Sequence, residues 1–235
     1  MVTPALLLAA SVPLSSLAQT INVDFNGTDG TLGTYSGTAA APDSGTTWNG
    51  FAVGPEAGSP LNGTTTSGAL VTSAGAPTPV TVSLGNFRFY EANENPAGLA
   101  PGLLSDFVYQ QTLGPGGPDS TFSINHLDPS LTYDLYLYAQ NGGYSNTSTV
   151  FMINGASKIA TNVGDIPTLI EDTNYVVYRG LAPNSSGTIS GTFNDFAAAN
   201  NAAFNGLQIL QIPEPTGLSL LAFGGMLALR RRRCG

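Results

Sequence analysis

The chain has 235 residues, 42% of them hydrophobic and 9% charged, which excludes a largely disordered, highly charged polymer and leaves enough apolar material for one sizeable core. Its 29 glycines and 16 prolines are too many for a helical bundle and too unpatterned for collagen, and they fit short strands joined by turns. The formal charge is -8, and four of the seven basic residues are Arg230 to Arg233. Nucleic acid is therefore excluded as a partner, because a phosphate-tracking surface needs clustered Lys and Arg. The single cysteine, Cys234, and single histidine, His126, likewise exclude an internal disulfide framework and a multi-ligand zinc site.

Residues 1–18 carry an apolar run from Ala5 to Val12 and close on Ser16-Leu17-Ala18, with small residues at the two positions a signal peptidase reads. A signal peptide cleaved between Ala18 and Gln19 is the expectation. No Lys or Arg precedes the apolar run, so the usual basic leader is missing, which points to a true translation start upstream of Met1. A buried N-terminal helix fits less well, with Pro4 and Pro13 near its two ends.

Residues 19–212 hold three basic and fourteen acidic side chains, a net charge of -11, so an acidic glycan would need a bridging cation. Ile21-Asn22-Val23-Asp24-Phe25 alternates apolar and polar residues and runs into Asn26-Gly27, a turn signal. Val80 to Leu84 alternates in the same way before Gly85-Asn86, and Phe87 to Tyr90 follows. Further strands are expected at Phe122 to Ile124, Tyr133 to Ala139, Val150 to Ile153, Tyr175 to Tyr178, Thr188 to Phe193 and Leu207 to Ile212. About nine or ten short strands result, spaced as in a β-sandwich, with no amphipathic helical window between them. Leu103 to Gln111 is read as a short helix or an extra strand, and the Gly/Ser/Thr-rich stretches Thr28 to Gly45 and Gly54 to Pro79 as long loops over the sandwich.

In Asp134-Leu135-Tyr136-Leu137-Tyr138 the leucines fall on one face and the tyrosines on the other, so the strand is expected inside a sheet, with Tyr136 and Tyr138 as packing. Leu131 to Tyr138, a glycine-rich loop and then Phe151-Met152-Ile153-Asn154-Gly155 resemble the core of galactose-binding-like jelly rolls, the architecture of many carbohydrate-binding modules. Phe204 to Leu210 is similar to their closing strand and Ile21 to Phe25 to their opening one. The resemblance implies an all-β, antiparallel jelly-roll sandwich. It also implies a structural calcium where the terminal strands meet, where Asp24, Asp29, Asp195 and Asn205 lie, although no Asp-x-Asp-x-Asp-Gly loop is present.

Catalytic chemistry finds little support. His126 begins a turn, and no Gly-x-Ser-x-Gly elbow accompanies it. Glu91 and Glu94 could converge as a glycosidase pair, but nothing near them in sequence supplies an apolar pocket, and a solvated loop is the expected reading. For glycan binding the candidates are aromatics in loops. Trp48 could serve as a sugar platform or cap the core, the latter being favoured, and Tyr144 lies in a glycine-rich loop. The Asn-x-Ser/Thr triplets at Asn26, Asn62, Asn146 and Asn184 are read as turn chemistry.

The C-terminus reads Pro213-Glu214-Pro215, an uncharged stretch from Thr216 to Leu229, and Arg230-Arg231-Arg232-Arg233-Cys234-Gly235. Fourteen helical residues reach only about 21 Å against a hydrocarbon core of about 30 Å, but the arginine stems can snorkel to the headgroups and hold that end on the cytoplasmic side. These three parts in this order closely resemble the PEP-CTERM sorting signal of Gram-negative bacteria. The resemblance implies recognition at the inner membrane by an exosortase, with Pro213, Glu214 and Pro215 carrying the sorting information. It further implies transient membrane residence through the C-terminal helix, cleavage, and delivery to the cell surface or an extracellular polysaccharide matrix. The expectation is thus a signal peptide (1–18), a β-sandwich domain (19–212) and a sorting signal (213–235) in a non-catalytic protein that binds or organises polysaccharide. The alternatives are a purely structural matrix protein and a polysaccharide-cleaving enzyme.

Overall fold

The computed structural model describes residues 18–26, 33–42, 45–54, 60–91, 102–110, 119–140, 148–161, 168–195 and 202–213. The expected signal sequence up to Leu17, Asp29, Glu94, Tyr144 and the tail from Glu214 onward, with Pro215 and Arg230 to Arg233, lie outside the described residues. The strands belong to one compact unit, Gln19–Ile212. Among the described residues no helix is long and apolar enough to cross a membrane.

In chain order the strands are β1 (Thr20–Asn26), β2 (Asn49–Ala52), β3 (Pro60–Thr66), β4 (Thr81–Glu91), β5 (Asp106–Gln110), β6 (Ser120–Asn125) and β7 (Thr132–Tyr138). They continue with β8 (Thr149–Ile153), β9 (Ala156–Ala160), β10 (Tyr175–Leu181), β11 (Ile189–Asp195), β12 (Ala203–Phe204) and β13 (Gly206–Ile212). The smaller sheet runs β10-β7-β13-β1-β2, and the larger runs β12-β5-β4-β6-β11-β8-β9 with β3 also paired to β4. Pairing is antiparallel except between β1 and β2. The fold is thus an all-β sandwich, as the alternating sequence pattern requires. The Asp134 to Tyr138 strand sits inside its sheet between β10 and β13.

The apolar member of each alternating pair turns inward. Ile21, Val23 and Phe25 of β1 meet Val82 and Leu84 of β4, Phe122 and Ile124 of β6, Leu135 and Leu137 of β7, and Leu207 and Ile209 of β13 in one core. Phe204 is the hub. Its ring lies 4.9 Å from Phe25, 5.0 Å from Phe151, 5.2 Å from Phe193 and 5.5 Å from Phe122, all in edge-on or tilted contacts of the kind aromatic quadrupoles favour.

Two expectations change and one open alternative is resolved. The stretch from Gly54 to Pro79 is not all loop, because Pro60–Thr66 forms β3; its threonines suit a pleated surface, and a proline is tolerated on a strand paired on one side. Within the stretch read as a short helix or an extra strand, Leu103 to Gln111, the strand is the outcome for Asp106–Gln110, which forms β5 with every residue buried, as in a strand covered on both faces. Counting these and three short strands, β2, β9 and β12, thirteen strands occur among the described residues instead of about nine or ten.

Candidate functional site

The first strand departs most from what alternation suggests. All seven residues of β1 are buried, so Asn22, Asp24 and Asn26 are hidden from solvent as completely as the apolar residues between them. Residues 33–42 and 45–48 lie over their face and are held by hydrogen bonds. Gln208 Nε2 donates to Asn22 Oδ1 at 2.8 Å, Asn22 Nδ2 to Thr47 O at 3.1 Å, and Ala41 N to Gln208 Oε1 at 2.9 Å. Tyr138 donates its hydroxyl to Gln208 Oε1 and accepts from Ala40 N, while Trp48 Nε1 donates to Gly37 O at 2.9 Å. The cover passes close over β2, where a Cβ on Gly50 would stand 2.2 Å from Thr34 Oγ1, so only glycine fits.

Beneath this cover lies a cluster of oxygen atoms. Asp24 is 0% exposed and Asp106, at the start of β5, is 1% exposed. Asp24 Oδ2 accepts from Tyr35 N at 2.8 Å, whereas Asp24 Oδ1 is buried without a hydrogen-bond partner. The Asn26 amide reaches both carboxylates. In one orientation its nitrogen donates to Thr34 Oγ1 at 3.1 Å and its oxygen faces Asp24 and Asp106, so three oxygens converge with no proton among them. Turned over, the nitrogen donates to Asp24 Oδ2 at 3.0 Å and to Asp106 Oδ2 at 3.3 Å, and the oxygen accepts from Thr34. The first orientation suits a cation among the oxygens and the second a cation-free cluster. Burial pushes the Asp24 carboxyl up to about 7 against the hydrogen bonds from Tyr35 and Asn26, which favour its charged form.

Asn205 borders this cluster. Its amide nitrogen donates to Asp106 O at 2.9 Å and Gln140 O at 3.0 Å, its side-chain oxygen accepts from Gln140 N at 2.7 Å, and its backbone oxygen accepts from Phe25 N at 3.1 Å. Of the residues expected at a calcium, the structure therefore brings Asp24 and Asn205 to one place. Asp195 instead ends β11 opposite Thr149, with its N–H on Gln110 Oε1 at 3.2 Å. Asp106 and Asn26 are the partners that sequence reasoning missed; Asn26 shares the face of Asp24 on β1 by the two-residue strand period, whereas Asp106 comes from β5 in the other sheet and is brought there only by the packing of the two sheets. Among the described residues no three His, Cys, Asp or Glu side chains gather as a metal centre, so any cation here would rely on two carboxylates and amide or backbone oxygens, the hard donors that calcium takes.

Trp48 is 8% exposed and packs edge-on against Tyr35 at 5.0 Å, fastening the cover rather than offering a face to a sugar. Tyr136 and Tyr138 are likewise buried. Ala18, Gln19 and Pro213 are exposed, and Glu91 ends β4 opposite Asp106 in the strand register. His126 is exposed in a left-handed turn, with φ of 63°. It stands at the rim of a cleft of about 410 Å³ whose wall includes Ile21, Val80, Leu127 and Tyr133.

A second concavity among the described residues is a shallow groove of about 530 Å³ on the outer face of the larger sheet. Alternation places it there: while Leu84, Phe122, Ile124 and Phe193 point inward, Ser83 of β4, Thr121 and Ser123 of β6, and Ser190 and Thr192 of β11 line the outside. Gly85 leaves the middle open, Met152 adds an apolar patch at 46% exposure, and Asn154 closes one end. Asp119 is the one charged residue in its lining. Four neighbouring strands at about 4.8 Å spacing make such a surface about 14 Å wide.

Fold and sites together define an all-β sandwich with a buried oxygen cluster under one sheet's cover and a hydroxyl-rich groove with one charged residue on the other sheet. No family model matches the chain, and no curated protein matches it. Among solved structures it is similar to the protein YXIM from Bacillus subtilis, at 12% identity and a TM-score of 0.42, covering 84% of this chain and 41% of that one. It is also similar to the exo-β-1,3-galactanase Pc1,3Gal43A from Phanerochaete chrysosporium in its galactose complex, at 22% identity and a TM-score of 0.28, covering 60% of this chain and 36% of that one. The chain thus spans less than half the length of either structure, and both scores lie below the level at which a shared activity can be read.

Proposed function

We propose that the mature chain is a non-catalytic binder of neutral polysaccharide, exported by its signal peptide and carried to the cell surface or matrix of a Gram-negative bacterium through exosortase recognition of Pro213-Glu214-Pro215. The observation that supports the binding role is the groove. Its serine and threonine hydroxyls and the Asn154 amide can exchange hydrogen bonds with sugar hydroxyls, and Met152 offers apolar surface for C–H faces. One charged side chain in the lining is little obstacle to a neutral polymer. An anionic polymer would meet a domain carrying -11.

The non-catalytic reading is supported by the state of the buried carboxylates. Asp24 and Asp106 both reach the Asn26 amide, but at 0% and 1% exposure no substrate reaches them. Their proposed role is structural, with Asp24, Asp106 and the Asn26 oxygen holding a calcium ion that ties the cover to β1 and β5. A purely structural matrix role is the competing reading.

Affinity electrophoresis tests the groove. Neutral polysaccharides cast into native gels should retard the intact protein, and placing a carboxylate in the groove by Thr121→Asp or Thr192→Asp should abolish retardation while leaving the melting temperature nearly unchanged. Equal retardation of wild type and both variants would remove the groove from consideration, and no retardation by any neutral polymer would favour the structural role. Release of reducing ends from a retained polymer would overturn the non-catalytic reading.

A further inference from the structure

The chain contains six Asn-Gly pairs, at Asn26, Asn49, Asn62, Asn141, Asn154 and Asn205, and three of them have both residues and the asparagine side chain described. Two are locked. Asn49 donates to Asn22 O and Val71 O, both at 2.8 Å, and accepts from Val71 N at 2.8 Å. Asn205 is 0% exposed and uses its whole amide on Gln140 and Asp106.

The third is open. Asn154 and Gly155 are the two central residues of the β8–β9 hairpin, between the paired Ile153 and Ala156, with φ of 50° and 77°. That is the left-handed pair a tight two-residue hairpin turn requires, and it suits Asn-Gly. Both residues are exposed, neither the Asn154 amide nor the Gly155 N–H has a hydrogen-bond partner among the described residues, and no Cβ shields Gly155 from its neighbour. The nucleophile and the electrophile of a deamidation are thus adjacent, unbonded and in water.

We propose that Asn154 is a site of spontaneous modification, in which the turn converts to aspartate and isoaspartate. The Gly155 nitrogen attacks Asn154 Cγ, an N–Cγ bond forms, the Cγ–NH₂ bond breaks, and ammonia leaves with the proton given up by Gly155. Solvent water then opens the five-membered imide at either carbonyl, giving aspartate or isoaspartate. No other reactant is needed. Because Asn154 lines the groove, conversion adds a second carboxylate to a lining whose one charged residue is Asp119. The isoaspartate branch also adds a backbone carbon to a two-residue turn and so loosens the Ile153–Ala156 pair.

The effect on polysaccharide rests on the binding role proposed above, whereas the modification itself does not, and the two are read separately. Full-length protein incubated at mildly alkaline pH should gain the mass of an amide turned to an acid, and peptide mapping should place it at Asn154 at least tenfold faster than at Asn49 or Asn205. Asn154→Gln, which keeps the amide but disfavours the ring, should lose that conversion. Equal rates at the three positions, or no conversion at Asn154, would overturn the proposal. If Asn154 converts but aged and fresh protein are retarded equally in neutral-polysaccharide gels, the modification stands and its link to the groove fails.

Discussion

Replacing Asp24 with asparagine tests the buried oxygen cluster through its pH dependence. In the cation-free fold, burial lifts Asp24 from 3.8 to about 7. The folded state therefore binds a proton that the unfolded chain releases at lower pH. The contribution of Asp24 to stability is full below about pH 4, declines as the pH rises, and reaches its lowest level above about pH 7. About three pK units at about 1.4 kcal/mol each set the span at about 4 kcal/mol. The substituted amide stays neutral and can still accept from Tyr35 N through its side-chain oxygen, so the variant keeps the contact and loses the charge. With about 2–4 °C per kcal/mol for a domain of this size, Asp24→Asn in chelator near pH 8 should melt about 8 °C or more above wild type, and the two should converge only below about pH 4. Calcium should raise the wild-type midpoint at the higher pH and leave the variant unmoved, because the ion replaces the proton and needs the carboxylate. Circular-dichroism melts across this range are sufficient. A variant that melts below wild type near pH 8 in chelator, or one that retains the wild-type pH slope, would refute the reasoning.

Two further outcomes follow from the packing. Phe204→Ala empties the centre of five interlocked rings and should cost about 3–5 kcal/mol in urea unfolding; a loss below about 1 kcal/mol would show that the core collapses around the gap. Trp48 fluorescence should not respond to polysaccharide, because the ring is buried within the cover and bonded to Gly37, but it should shift when chelator is added to calcium-loaded protein and the cover loosens. A polysaccharide-dependent change without any chelator effect would point to a binding surface near the cover rather than the groove.

Strand β1 shows where local pattern stops being informative. Ile21-Asn22-Val23-Asp24-Phe25 predicts which side chains share a face, and the structure keeps that division: the apolar three enter the core and the polar ones oppose it. Alternation carries no information on whether the polar face meets water or another part of the chain. Here it meets residues 33–42 and 45–48, whose glycines, threonines and alanines read as loop because none of them signals which strand's polar face it will cover. The same holds for Pro60–Thr66, which becomes a strand by pairing with β4. The groove was invisible for a related reason, since serines and threonines on outward positions look unremarkable until several strands align them side by side.

An all-β sandwich, its inward apolar residues, the interior place of β7 and the Asn154-Gly155 turn were legible from sequence because each depends on the two-residue strand period or on backbone preferences within a few residues. The union of Asp24 with Asp106 and the outer groove were decided by tertiary structure alone. Each depends on which distant segments pair and cover one another, and so on the solvation of a side chain rather than its identity.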